Sequence, residues 1–266
     1  MMSRGRVTAL AVLGLGITIV CRAESQQRPR LAVYAAASLT DAFNEIADSL
    51  RQRDPALRID FNFAGSQILV LQLGQGAAAD VFASADDRWM KVAQDSGLID
   101  GAPETFIHNR LVVIVPKTNP GRIGKLQDLG RAGIKLVLAA DAVPAGHYAR
   151  EAMFNLARAP GFPADYGQRV LANVVSNEEN VRSVAVKVQL GEADAGVVYV
   201  SDVTPSVARQ VRRIEFPDSA NVIADYPIAV VRHAPNPAAA KVFIDFVRSP
   251  TGQAILVRNG FLATRP

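Results

Sequence analysis

Apolar and polar positions along this chain follow two periods that alternate from segment to segment. Leu31-Ala-Val-Tyr-Ala-Ala-Ala37 is a continuous apolar, β-prone run. After Ser38, the positions Ala42, Phe43, Ile46, Ala47 and Leu50 repeat at helical spacing. The pattern predicts a buried strand feeding a helix, with Ser38 as N-cap and Asp41 completing a capping box. The unit then recurs: Leu57–Phe63 alternates as a strand does, and Ala64-Gly65-Ser66-Gln67 leads into an apolar helix from Ile68.

The rest of the chain continues the alternation. Gly74–Ala79 has the form of a dinucleotide fingerprint, but it ends a helix and precedes a strand, the reverse of the required context, so it reads as a C-cap and turn. Asp80–Ser84 is a short strand, and Asp86 opens a helix whose Trp89 and Met90 read as core. Strands are expected at Arg110–Pro116, Ile134–Ala139, Asn173–Val175, Ala195–Val200 and Ile223–Val231. Between them, Lys125–Leu129 is a short helix, and Pro144 occupies the first turn of a helix reaching Leu156. Ser176-Asn-Glu-Glu179 reads as a capping box for a helix through Val181, Val184 and Val188. Two helices, 237–247 and 252–259, close the chain. The class is α/β with mainly parallel sheets.

Length and composition narrow this further. A chain of 266 residues suits two modest α/β domains or one large one. Arg4 and Arg6 precede an uncharged apolar run, Val7–Val20, too short to span a bilayer comfortably. With Cys21-Arg22-Ala23 after it, the expectation is a cleaved signal peptide over residues 1–23 and a mature, periplasmic, monomeric protein from Glu24. A lipoprotein anchor on Cys21 is the rival reading, ranked second because Val20 is large for that cleavage site. Cys21 is the sole cysteine, so the mature chain has no disulfide, thiolate ligand or cysteine nucleophile. The formal charge of +4 falls to about +1 once Arg4, Arg6 and Arg22 leave with the leader, which gives no support to a nucleic-acid partner.

Candidate chemistry gathers at the junctions. Ser38, Ser66, Ala145-Gly146 and Asn180-Val181 each place small or neutral residues where a helix begins, and Tyr199 puts a hydroxyl at a strand end. In open α/β sheets ligands sit outside the carboxyl ends of strands, and unpaired N–H groups can hold an oxyanion with no cation present. Each junction taken singly is explained by the need for a cap; their shared lack of charge is not. Enzyme motifs are weak: His108, His147 and His233 fit no zinc spacing, and Ser66 lies outside any nucleophile elbow. Asp80, Asp86 and Asp87 read as a cap and a solvated turn rather than a cation site.

Six stretches occur in a telling order: Tyr34-Ala-Ala-Ala-Ser38-Leu-Thr, Phe63-Ala-Gly-Ser66, Ala79-Asp-Val-Phe-Ala-Ser-Ala-Asp86, Val143-Pro-Ala-Gly146-His-Tyr-Ala-Arg-Glu151, Glu179-Asn-Val181-Arg and Gly196-Val-Val-Tyr199-Val-Ser-Asp202. Together they resemble the periplasmic molybdate-binding proteins of ABC importers, over essentially the whole mature chain. The resemblance implies a two-lobed type 2 periplasmic-binding fold with the ligand in the cleft. The first lobe would take residues 24–108 and 226–266, the second 109–225. It implies that Ser38 and Ser66 donate from the first lobe, and that the backbone of Ala145 and Val181 and the hydroxyl of Tyr199 donate from the second. The implied ligand is molybdate or tungstate, with no cofactor, and the implied partners are an inner-membrane ABC permease and its ATPase. Gln67 replaces a serine of some relatives, and His147 borders either cleft or surface. A sulfate- or phosphate-type binder is the first alternative; a phosphate site favours a proton acceptor and often an arginine, for which only Arg182 stands near. An enzyme on the same fold, such as a hydroxymethylbilane-synthase-like transferase, is the second, and lacks the cysteine that carries that family's cofactor.

Overall fold

The computed structural model describes residues 30–264; the expected signal peptide over 1–23, Cys21 and the expected mature start at Glu24 lie outside the described residues. The chain runs β1 (Arg30–Ala36), α1 (Thr40–Arg53), β2 (Arg58–Ala64), α2 (Ser66–Gly74), β3 (Val81–Ala83), α3 (Asp87–Asp95) and β4 (Ile99–Pro116). It continues with β5 (Leu136–Ala139), α4 (Pro144–Leu156), α5 (Tyr166–Ala172), β6 (Val174–Glu178), α6 (Val181–Gln189), β7 (Ala195–Tyr199), α7 (Pro205–Ala208), β8 (Val211–Glu215), β9 (Ile223–Val231), α8 (Pro237–Arg248) and α9 (Pro250–Arg258). Short 3-10 turns occupy Ala37–Leu39, Leu126–Gly130 and Val200–Asp202.

The strands lie in the order β2-β1-β3-β9-β4-β7-β5-β6, with β8 also on β4. β1 is parallel to β2 and β3, and β5 is parallel to β6 and β7, as strand–helix–strand units require. β4 and β9 depart from the expected mainly parallel arrangement: all pairings between β4 and β7, β8 or β9, and that of β3 with β9, are antiparallel. The cause is the length of β4. Expected to begin at Arg110, it begins at Ile99, and its 18 residues run through both halves of the sheet. Ile99–Arg110 pair with β9; Leu111–Pro116 pair with β7 and β8. The front half is hidden in the sequence because Asp100, Gly101 and Glu104 interrupt the apolar pattern where the ladder itself shifts register. The strands on either side of this change of partner build two lobes, β1–β3 and β9 in the first and β5–β8 in the second.

The expected helices form where the spacing predicts, and their faces explain why; α5, α7 and the strand β8 stand where no element is expected from the pattern. α1 buries Ala42, Phe43, Ile46, Ala47 and Leu50, and Phe43 meets Phe243 of α8 edge-on at 5.4 Å between ring centroids. Two cap assignments are corrected. Ser38 does not cap α1: the chain enters a 3-10 turn one residue earlier, with Ala36 at φ −54°, ψ 140° as its start. The Ser38 hydroxyl is drawn away to Tyr226, and Asp41 to Arg182. Ser176 does not cap α6 either, because β6 continues through Glu178; Asn180 caps it, its Oδ1 accepting from the Ser183 N–H at 3.0 Å.

Buried polar groups secure the crossing between lobes. β9 pairs with β4 up to Arg110, and β8 from Val112, which leaves Leu111 without a strand partner on that edge. The Asn221 side chain fills the gap, accepting from the Leu111 N–H at 3.0 Å and donating to its carbonyl at 2.9 Å. Beside it, Asp202 closes the turn after β7 by accepting from the Tyr199 N–H at 3.0 Å. Asp202 is fully buried, and burial pushes its carboxyl up to about 6, against the pull of Arg182.

Two expectations follow from these groups. Asn221→Ala strands both backbone groups of a fully buried residue, so it should cost about 2–4 kcal/mol, read as a lower midpoint in urea unfolding. For Asp202, the folded carboxyl holds its proton to higher pH than the unfolded one. Its contribution to stability is therefore most favourable below pH ~4, declines as pH rises, and reaches a full penalty of about 3 kcal/mol above pH ~6. Urea melts of wild type and Asp202→Asn at pH 4 and pH 7 should differ in that sense, wild type gaining on the variant at the lower pH; a pH-independent gap would refute it.

Candidate functional site

All five residues singled out from the sequence line one cavity between the lobes. Ser38, Ser66, Ala145, Val181 and Tyr199 line a tight cavity with a free volume of about 10 Å³, and no lining residue carries a charge. That is about the space of a single water-sized sphere, far too little for a nucleotide or sugar. Four helical segments begin here. Ser38 lies in the 3-10 turn before α1, Ser66 is the first residue of α2, Val181 is the first of α6, and Ala145 is the second of α4 behind Pro144. Their N–H groups belong to the first-turn set that no intrahelical carbonyl can reach. Proline at the α4 start has no N–H to leave unsatisfied and a φ already suited to the helix. Gly146 allows this start to sit tight on β5: a Cβ there would overlap the Ala139 and Ala140 carbonyls.

The two serine hydroxyls are held rather than free. Ser38 Oγ lies 2.8 Å from the Tyr226 hydroxyl. Ser66 Oγ accepts from the Ala85 N–H at 3.1 Å. Tyr199, 1 % exposed, has a buried hydroxyl with no protein partner, and burial pushes its phenol well above the usual range, so it stays protonated. An orphaned donor of this kind is costly unless something in the cavity accepts from it.

Charged groups stand one layer out and are spent on each other. Arg182, next to Val181, pairs with Asp41 of α1 and lies 3.4 Å from Asp202; it does not line the cavity. His147 faces Asp141 at 3.2 Å, and its side chain is half exposed, so it sits on the surface side of the α4 turn. Asp86 caps α3, and Asp80 accepts from the Ala32 and Asn236 N–H groups, in agreement with a structural role. Among the described residues no cluster of His, Cys, Asp or Glu could hold a metal ion.

Several contacts cross from lobe to lobe around the cavity. Gln67 donates to the Glu179 carbonyl at 2.9 Å. Arg88 donates to the carbonyls of Asp141 and Ala142, and Trp89 Nε1 to that of Ala142 at 2.7 Å. The sequence reading missed this: Met90 is core, 2 % exposed, but Trp89 reaches the other lobe, and helical spacing alone does not tell a core indole from a bridging one. Nor does anything local mark Tyr226 or Asn109, 188 and 71 residues from Ser38 in sequence, as supports of the site. A larger apolar groove between α1 and α8, lined by Leu50, Val242 and Phe246, brings no helix starts together.

Comparison with known proteins follows the same geometry. The molybdate-binding protein ModA of Mycobacterium tuberculosis H37Rv is 38 % identical over 269 residues, covering 98 % of this chain and 97 % of the relative. The structure of the periplasmic molybdate-binding protein of Azotobacter vinelandii superposes with a TM-score of 0.76 at 18 % identity, covering 88 % of this chain and all of that one. The sulfate-binding protein SubI of Mycobacterium tuberculosis H37Rv superposes with a TM-score of 0.79 at 16 % identity, covering 89 % and 88 %; these two likenesses establish the two-lobed fold. A family described as bacterial extracellular solute-binding protein matches residues 31–262, from the first residue of the buried β1 run to the Leu262 that bridges back to His108 of β4. Spanning both lobes and the cavity between them, that match places the chain in the bacterial extracellular solute-binding protein family, to which it belongs.

Proposed function

We propose that this protein binds molybdate in the interlobe cavity and delivers it to an ABC permease driven by an ATPase. The observation that carries the reading is the small uncharged cavity where four helix starts and the unpartnered Tyr199 hydroxyl meet. A tetrahedral dianion supplies the acceptors these donors lack. The ligands would be the hydroxyls of Ser38, Ser66 and Tyr199 and the backbone N–H groups of Ala145 and Val181. A net 1.5–3 kcal/mol per hydrogen bond to a charged group, over five or more donors, covers the roughly −8 to −12 kcal/mol of micromolar to nanomolar binding after the costs of closure. The relatives named for molybdate support the choice of ligand. Tungstate, with the same charge and shape, should bind too. The chain then acts as a carrier, not an enzyme, outside the inner membrane and as a monomer. Among the described residues no helix is long and apolar enough to cross a membrane.

The lobes would comprise residues 24–108 with 226–266, and 109–225. The change of β4 partners at Arg110–Leu111 and the start of β9 at Ile223 support that division. Sulfate is the second reading, favoured by one observation: the donor set recognises a tetrahedral dianion by charge and shape and carries no group particular to molybdenum.

Calorimetric titration with molybdate, tungstate, sulfate and phosphate tests the choice. Molybdate and tungstate should bind at micromolar Kd or tighter, with sulfate and phosphate weaker; sulfate binding as tightly as molybdate would favour the second reading, and no molybdate binding would overturn the first. Closure has its own test. A Cβ at Gly65 would come within 2.6 Å of the Glu179 carbonyl across the cleft and crowd the Gln67 side chain. Gly65→Ala should therefore weaken molybdate binding roughly 5- to 100-fold by overpacking the closed lobes, without removing any donor to the anion. Unchanged affinity in that variant would show that the lobes need not close this far.

A further inference from the structure

We infer that Asn109 and Tyr226 are positioning residues that fix the direction of the Ser38 hydroxyl, so that Ser38 presents only a proton to the cavity and the site rejects oxyanions that carry one. The inference deepens the oxyanion reading above and rests on it.

Asn109 is fully buried on β4 at the crossing between lobes. Its Oδ1 accepts from the Arg110 N–H at 3.0 Å. A backbone N–H can only donate, so the amide cannot be turned over, and its nitrogen must face the other way. That nitrogen has two protons and no lone pair to offer. One goes to Ser201 Oγ at 2.8 Å, the other to the Tyr226 hydroxyl at 3.3 Å. Tyr226 has a single proton of its own, and burial keeps the phenol protonated. With Asn109 donating to it, that proton is left for Ser38 Oγ, 2.8 Å away. Ser38 thus accepts from Tyr226, and its own proton is free to point into the cavity. Tyr226 has little room to turn from this role: the rings of Phe106, Tyr199 and Phe261 meet its own edge-on at 5.5–6.5 Å.

The other hydroxyls of the site also have a proton to offer it, for independent reasons. Ser66 Oγ already accepts from the Ala85 N–H, and Tyr199 is an unpartnered phenol. Asn180 Oδ1, the nearest side-chain acceptor on the lining, is occupied by Ser183. A cavity of donors alone suits a fully deprotonated dianion. Monohydrogen phosphate would place its P–OH against a donor, leaving a buried proton without an acceptor and two protons opposed. The chain from Asn109 to Ser38 also starts on the strand that joins the lobes, so Ser38 of the first lobe and Ser201 of the second are set from one amide.

Two variants test this by calorimetry with sodium molybdate and inorganic phosphate at pH 8, where phosphate is the monohydrogen dianion. Tyr226→Phe keeps the ring and removes the proton given to Ser38, freeing a Ser38 lone pair to accept. It should lower molybdate affinity by about 2- to 10-fold and raise phosphate affinity, so that the molybdate-to-phosphate ratio falls at least tenfold. Asn109→Asp keeps the acceptor for Arg110 but turns the donor into an acceptor. Tyr226 would then donate to the carboxylate and Ser38 to Tyr226, turning a lone pair toward the anion, and molybdate affinity should fall more than in Tyr226→Phe. Failure of wild type to bind molybdate would sink the parent reading. If wild type binds, an unchanged ratio in Tyr226→Phe overturns the inference whatever Asn109→Asp does, because a merely structural tyrosine would weaken both anions alike. Should Asn109→Asp fail to fold, Tyr226→Phe alone decides.

Discussion

A helix begins with N–H groups that its own carbonyls cannot reach, and in this protein four such beginnings face one cavity with no charged residue on its wall. The rest of the structure is arranged around keeping them there without a partner from the chain. β1, β2, β5 and β6 end at the same edge of their sheets and turn directly into the segments that carry Ser38, Ser66, Ala145 and Val181. Small residues at those turns, and Gly146 above all, let the helix starts approach the strands they follow. The ordinary remedy for such ends, a side-chain cap, is missing at α1, α2 and α4. It is present at α6, where it satisfies Ser183 and spares Val181.

The electrostatic layout follows from that constraint. A cation inside the cavity would raise affinity but would also leave a buried charge unpaired whenever the ligand left. Arg182, whose guanidinium neighbours Val181, is held by Asp41 and Asp202. Its charge is balanced before any anion arrives. The protonated tyrosines and the uncharged wall leave oriented dipoles to recognise the ligand.

Much of this was legible in the sequence, and the reason is local. Ser38, Ser66, Ala145, Val181 and Tyr199 each sit where an apolar strand pattern gives way to a helix or turn, and topology brings such ends together in any open α/β sheet. What was illegible depends on distant partners. Ser38 reads as a cap because the next three residues fit one; only the presence of Tyr226 across 188 positions shows that its hydroxyl is engaged elsewhere. The first half of β4 carries no strand signal in the sequence, because Asp100, Gly101 and Glu104 break the apolar pattern where its pairing with β9 shifts register. Trp89 follows core spacing yet crosses to Ala142. Periodicity reports which face of an element is apolar, and not whether that face meets its own lobe or the other.

The division of donors between lobes bears on release as much as on capture. On the proposed reading Ser38 and Ser66 belong to one lobe and Ala145, Val181 and Tyr199 to the other, so neither lobe alone holds more than three of the five named donors. Separating them would remove several bonds worth roughly 1.5–3 kcal/mol each in one motion, and water would replace them at once. A site built on an arginine would concentrate attraction on whichever lobe carried it, and opening would leave the anion attached there. With neutral donors shared across a hinge, affinity is a property of the closed arrangement. A partner that pulls the lobes apart needs only to break surface contacts such as those of Gln67 with Glu179 and Trp89 with Ala142 for the anion to lose its hold.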